Sequence, residues 1–156
     1  MLVKIHMKAQ LNGLARFEEH VKPLESLDLD DVAALLYLSY ENTTDWVEGS
    51  TYDDARTAIV DGHVGKYGEY QPNSSGLLLG NDLTPASGIL CSILEGMPFI
   101  VFTFTHPTFT NHGLASRLIK HAAFQFYSIG HQEFHLYVTS GNPAIHLYRK
   151  LGFQEF

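Results

Sequence analysis

Cysteine is almost absent: Cys91 is the only one in 156 residues. A lone thiol excludes an internal disulfide framework and a cysteine-only metal site, and makes a reduced, cytoplasmic setting the expectation. Basic residues are scarce too, with 10 Lys and Arg against 17 Asp and Glu and a formal net charge of −7. Such a chain lacks the basic patch that nucleic acid or an anionic membrane requires, and it leans towards cationic partners such as amines. No run approaches the roughly 18 apolar residues of a membrane span. The first ten residues alternate apolar and polar side chains, unlike the continuous apolar run of a secretory signal. Repeats and low-complexity linkers are missing. Nine histidines are present, but they are scattered and none forms a HExxH pattern on a helix. They read as surface or hydrogen-bonding groups, so no metal is expected.

What remains is an ordinary globular balance, 45% hydrophobic and 17% charged residues. The length suits a single domain, residues 1–156, around one core. Residues 1–10 show a period-two pattern (Val3, Ile5, Met7, Ala9) and predict a strand. Residues 20–24 suggest a short edge strand marked by Pro23. A helix capped by Asp28 or Asp30 follows, with Leu29, Val32, Leu36 and Tyr40 on its apolar stripe. Thr51 reads as the cap of a second helix that runs to about Val60, with Asp53 and Asp54 favoured in its first turn by the helix dipole. Residues 62–76, rich in glycine and polar side chains, read as loop.

The second half is sharper. Strands are predicted at 77–79, 88–94 and 99–105, with a turn at Glu95-Gly96. A helix runs from Asn111 or His112 to about Tyr127, its stripe being Leu114, Leu118, Ala122 and Phe126. A strand covers 134–138. Asn142 caps a last helix with Pro143 at its first position, and Gly152 stops it. The fold class is therefore α/β (α+β): a mixed, mostly antiparallel central sheet flanked by helices, with parallel neighbours where a helix crosses between strands. The antiparallel run before Pro107 argues against a flavodoxin-like, doubly wound nucleotide binder.

Two segments carry the chemistry. In the first, a strand ends at Thr105 and is followed by Thr110-Asn111-His112-Gly113-Leu114-Ala115-Ser116. Backbone N–H groups at such a helix start form an anion site, and Gly113 lets a phosphate come close. In the second, Asn142 is followed by Ala144, Tyr148 and Gly152-Phe153. Taken alone, Gly113 can be a turn residue, Asn142 a helix cap and Tyr148 a core aromatic.

Taken together, the two segments resemble the GNAT superfamily of N-acetyltransferases, which has an Arg/Gln-x-x-Gly-x-Gly/Ala loop and a later Asn-x-x-Ala-x-x-x-Tyr-x-x-x-Gly-Phe pattern. Here the alanine stands one place nearer the asparagine. The resemblance is specific from about Gly88 to Phe156 and architectural before that. It implies a GNAT-like acyl-CoA N-acyltransferase fold with acetyl-CoA as cosubstrate. The pyrophosphate would rest on amides from Asn111 through His112, Gly113, Leu114 and Ala115 to Ser116, beside Thr110. The pantetheine arm would pair like an added strand near Phe104 and Thr105, between two splayed parallel strands, with Asn142 helping to hold it. A backbone N–H near Phe104 would hold the oxyanion of a tetrahedral intermediate. Tyr148 would protonate the leaving thiolate. The implied reaction moves an acetyl or other acyl group to a primary amine of a small molecule or protein N-terminus.

Two departures stand out. Thr110 replaces the usual arginine or glutamine, with His112 or Arg117 available to compensate. The strand 99–105 carries no base, and although Glu95, His106 and His135 lie near, none is assigned. The absent base and Thr110 support a second reading, a non-catalytic acyl-CoA sensor. Residues 42–50, with Asp45, Trp46 and Glu48, suit the side that receives a cationic amine. The aromatic group Phe124, Phe126 and Tyr127 reads as core or as the surface of a homodimer. Cys91 reads as a small buried hydrophobe.

Overall fold

The structure, a computed structural model, describes residues 3–14, 20–41 and 50–156. Its seven strands form one sheet: β1 (Lys4–Gln10), β2 (Glu69–Tyr70), β3 (Gly76–Leu79), β4 (Pro85–Leu94), β5 (Met97–Thr105), β6 (Glu133–Thr139) and β7 (Gln154–Glu155). The spatial order is β2-β4-β5-β6-β1-β7, with β3 beside β2 on the same edge of β4. Every pairing is antiparallel except β5 with β6. The mixed, mostly antiparallel sheet expected above is therefore present.

The helices are α1 (Leu11–Leu14), α2 (Leu29–Tyr40), α3 (Tyr52–His63), α4 (Leu114–Ser128) and α5 (Ala144–Lys150). Thr51 and Asp54 close a reciprocal capping box at the start of α3, satisfying two N–H groups that the helix leaves open. On one face of the sheet, Leu118, Ala122 and Phe126 of α4 pack with Tyr148 and Ile145 of α5 against Met7, Ile100, Leu136 and Phe153. On the other, Val32, Leu35 and Leu36 of α2 and Ile59 of α3 pack on Leu77, Leu90 and Phe104. Each large apolar side chain so buried contributes roughly 1.5–3 kcal/mol before entropy is counted. Phe126 is core and Tyr127 is exposed, while Cys91 is fully buried.

Several boundaries differ from the sequence reading. Residues 20–24 make one bridge, Lys22 to Leu77, rather than a strand. The segment 62–76 read as loop contains β2, and α3 continues to His63. Helix α4 begins at Leu114 instead of Asn111 or His112. Asn111 and Gly113 have φ of 64° and 78°, a left-handed backbone that no α-helix tolerates.

One irregularity shapes the functional region. Between Leu90 and Cys91 the β4–β5 register shifts, so that Leu90 faces Phe102, Cys91 faces Ile100 and Val101 is the extra residue on β5. A bulge bends its strand. Beyond it, β5 no longer pairs with β6: their parallel ladder consists of Phe99 with His135 and Ile100 with Leu136. The two strands diverge from there to Thr105 and Thr139.

Candidate active site

The wedge between β5 and β6 holds a cavity of about 290 Å³. Ile100, Val101, Thr103 and Thr105 form one wall, Leu136, Tyr137 and Val138 the other, and Asn142, Leu147 and Tyr148 close it. A second cavity of about 390 Å³ lies over the start of α4. The two share Thr105, Thr110, Ala115, Pro143, Ala144 and Leu147, so they form one channel from the wedge to the helix N-terminus.

Strand β5 presents its polar backbone to this channel by simple alternation. His106 N–H donates to the Ala86 carbonyl at 2.8 Å. In an antiparallel ladder every second residue then turns its N–H and C=O towards β4, as His106, Phe104 and Phe102 do, while Thr105 and Thr103 turn theirs outwards. The outward groups meet α2. Thr105 N–H donates to Ser39 Oγ at 2.9 Å, and the Tyr40 hydroxyl donates to the Thr103 carbonyl at 3.1 Å. Ser87 Oγ reaches Thr105 Oγ1 at 2.8 Å. Tyr148 is 9% exposed, and its hydroxyl stands 3.3 Å from Thr103 Oγ1. Its ring packs edge-on against Phe153 with 5.9 Å between centroids.

The far end of the channel is the helix start. The N–H groups of Leu114, Ala115 and Ser116 precede the first bond from α4 to its cap, Arg117 N–H to the Gly113 carbonyl at 3.1 Å. They point from the positive end of the helix dipole, where an anion is favoured. Asn111, Gly113 and the three residues after it line the cavity there. Asn142 Oδ1 accepts from Ala144 N–H at 2.9 Å, so its oxygen caps α5 while the residue lines the wedge.

The structure thus gathers Tyr148, Thr105, Thr110, Asn111, Gly113, Leu114, Ala115, Ser116 and Asn142 along one channel. Phe104 and His112 stand apart from it. Phe104 is 1% exposed in the core; its ring occupies the space above Gly88, 2.5 Å from where a Cβ would stand. His112 is exposed, with its ring against Phe109. Asp45, Trp46 and Glu48, expected on the acceptor side, lie outside the described residues. Sequence reasoning missed Ser39, Tyr40 and Thr103. In the sequence Tyr40 reads as part of the apolar stripe of its helix, and only the fold turns that stripe's last turn towards β5. His106 spends Nδ1 as acceptor for Thr108 N–H, and Glu95 sits in the β4–β5 turn with φ of 53°. Among the described residues no group of His, Cys, Asp or Glu could hold a metal ion.

A model of the GNAT acetyltransferase domain matches residues 85–155. The matched stretch, a little under half of the chain, is similar to that family's domain. The fold agrees over the rest of the chain. A GCN5-related N-acetyltransferase from Sphaerobacter thermophilus superposes with a TM-score of 0.72 at 17% identity, over 98% of this chain and 48% of its own. A Staphylococcus epidermidis protein of unknown function gives 0.69 at 10% identity, over 99% and 59%. The ribosomal-protein-S18-alanine N-acetyltransferase of Escherichia coli gives 0.66 at 19% identity, over 88% and 78%. The chain therefore spans about half the length of the first of these structures. No curated protein matches it. Strands β5 and β6 and the start of α4 all fall inside the matched residues. Among the described residues no helix is long and apolar enough to cross a membrane.

Proposed function

We propose that residues 1–156 act as one acetyl-CoA-dependent N-acyltransferase domain, moving an acetyl or other acyl group to a primary amine by direct attack. The observation that carries this reading is the single channel joining the helix N-terminus at Gly113 to the Tyr148 hydroxyl. Its two ends suit the two ends of coenzyme A. The amides of Leu114 to Ser116 suit a pyrophosphate. The outward Thr103 and Thr105 backbone suits an extended amide chain, and the apolar wedge beyond suits a thioester. Acetyl-CoA supplies the activated acyl group. The Tyr148 hydroxyl holds the proton that the departing sulfur needs. Among the N–H groups of β5, that of Thr103 suits negative charge on an acyl oxygen better than that of Phe104, which faces β4, or that of Thr105, which donates to Ser39. The Escherichia coli neighbour is named for a protein alanine, so an α-amino group is among the acceptors to try, together with small amines.

Millimolar acetyl-CoA should raise the melting temperature. Saturation to 100 times the dissociation constant adds about 2.7 kcal/mol, which is several degrees for a chain of this size. Absence of any shift with acetyl-CoA and with free coenzyme A would refute the binding claim. Thiol release from acetyl-CoA across a panel of amines then tests transfer. One observation favours the alternative, a non-catalytic acyl-CoA sensor: Ser39 and Tyr40 already occupy the Thr105 N–H and the Thr103 carbonyl. Binding without turnover of any amine would decide for it.

A further inference from the structure

Among the described residues, those lining the wedge include no carboxylate and no imidazole, yet attack by an amine needs a group to take its proton. Just below the apex of the wedge, on the sheet face away from α4, three such groups stand in line. His6 Nε2 and His135 Nδ1 are 2.9 Å apart. His135 Nε2 lies 3.6 Å from Glu133 Oε1. His135 is 1% exposed, and its Nε2 is a buried polar atom with no hydrogen-bond partner, an arrangement that is costly without a purpose. Glu133 is held in turn by Lys8 at 3.0 Å and by Gln10.

The position follows from register. His135 pairs with Phe99 on the rung next to Ile100 and Leu136, both of which line the wedge. Successive residues of a strand rise about 3.3 Å, so the His135 imidazole lies within one or two residue lengths of the wedge apex, and His6 stands one strand further on, opposite Tyr137. Tyr137 links the two regions: it lines the wedge, and its ring centroid is 4.7 Å from that of His6. Phe99 and Phe156 complete an aromatic frame around His6 at 5.9 and 4.7 Å.

We propose that His6, His135 and Glu133 form the proton relay of the acyl-transfer site, with His6 accepting the proton of the attacking amine directly or through one water. The inference rests on the acyltransferase reading given above. His6 in its Nε2–H form donates to His135 Nδ1 and leaves Nδ1 open as acceptor. As the new C–N bond forms, the amine proton passes to His6 Nδ1. The pair shares the charge through its hydrogen bond, and His135 Nε2–H faces the Glu133 carboxylate. As the C–S bond breaks, the thiolate takes the proton of Tyr148, which is restored from the relay through solvent. One proton leaves the amine and one reaches the sulfur, so the reaction balances without any further reactant. His6 is the catalytic base; His135 and Glu133 are positioning residues.

The surroundings keep this base neutral. Burial, then the Lys8 charge, hold His6 below its ordinary value. Burial, then the His6 charge, do the same for His135, with Glu133 pulling the other way. Hydrogen bonding from Lys8 keeps Glu133 ionised to lower pH than usual. Lys4 stands on the same strand face as His6 and Lys8 by two-residue alternation, and Tyr137 is a further titratable neighbour.

Two experiments test the relay on the full chain. In the first, the imidazole resonances of His6 and His135 are titrated by NMR without any substrate, in wild type, Glu133→Gln and His6→Gln. The expected result is a coupled pair, with His135 moving to lower pH in Glu133→Gln and changing its titration in His6→Gln. Independent titration of the two rings overturns the relay whatever the protein's activity. In the second, kcat/KM for an accepted amine is followed against pH. Wild type should lose activity as pH falls through an inflection below 6.5. His6→Gln should lose about 10²-fold and that inflection, with acetyl-CoA affinity and melting temperature retained; His6→Asn serves if Gln does not fold. Glu133→Gln should move the inflection. A folded His6→Gln protein with wild-type rate and pH profile overturns the relay and leaves the acyltransferase reading standing. Acetyl-CoA binding without transfer to any amine overturns both.

Discussion

Two of the contacts Tyr148 makes can be separated experimentally. Its ring is buried against Phe153, and its hydroxyl stands beside Thr103 Oγ1. Phenylalanine keeps the first contact and removes the second, so stability should change by no more than about 1 kcal/mol, the net worth of one hydrogen bond. If the hydroxyl protonates the departing sulfur, Tyr148→Phe should lower turnover towards 10²-fold and leave acetyl-CoA affinity near wild type. Turnover and acetyl-CoA binding of the same purified variant give the answer, and full activity would reduce Tyr148 to a packing residue. Its position was readable in the sequence because both roles leave the same trace: four residues before a helix-ending glycine, on the apolar face of a short helix. His6 and His135 left no such trace. Each is a lone histidine in a strand, and their meeting depends on a pairing between chain segments 129 residues apart.

At the scale of elements, the loop before α4 forms the end of the channel proposed to hold the phosphates. Gly113 has φ of 78°, and a Cβ there would meet nothing within 4 Å. A side chain at this position therefore costs backbone strain of about 1–3 kcal/mol without any clash inside the protein, while its branches project towards the space a phosphate would use. Gly113→Val should stay folded by circular dichroism, melt somewhat earlier and bind coenzyme A markedly less well. Isothermal titration with coenzyme A measures this; unchanged affinity in the folded variant would move the phosphate site elsewhere. The same loop shows where local reading stops. The sequence places the helix start at Asn111 or His112, but the left-handed backbone of Asn111 and Gly113 puts the true start at Leu114. Two-residue β2 was invisible because a period of two cannot be seen in two residues. The bulge at Val101 was equally silent, since it is a mismatch between two strands and no single strand records it. The divergence of β5 from β6 was expected from family resemblance, and the bulge is its physical cause.

At the scale of the molecule, the sheet depends on its first strand. β1 lies between β6 and β7 and makes seven register pairs with β6 and two with β7, and Met7 is fully buried. Removing residues 1–10 would leave β6 as an open edge and uncover core surface. The expected result is loss of a cooperative melting transition and binding of a hydrophobic dye, read by circular dichroism and fluorescence. A truncated chain with the wild-type melting temperature would make β1 an accessory. Sequence patterning identified β1 as a strand, but its neighbours are a matter of topology, which periodicity does not encode. The placement has a consequence for biosynthesis. His6 must wait for His135, made 129 residues later, an interval on the order of ten seconds at ordinary translation rates. Through that interval the first strand emerges as an unpaired, half-apolar ribbon, and non-local pairing of this kind folds slowly. The nascent chain is thus most prone to aggregate until β6 has been made, and shielding by a ribosome-associated chaperone should improve its yield more than lowering the temperature after synthesis.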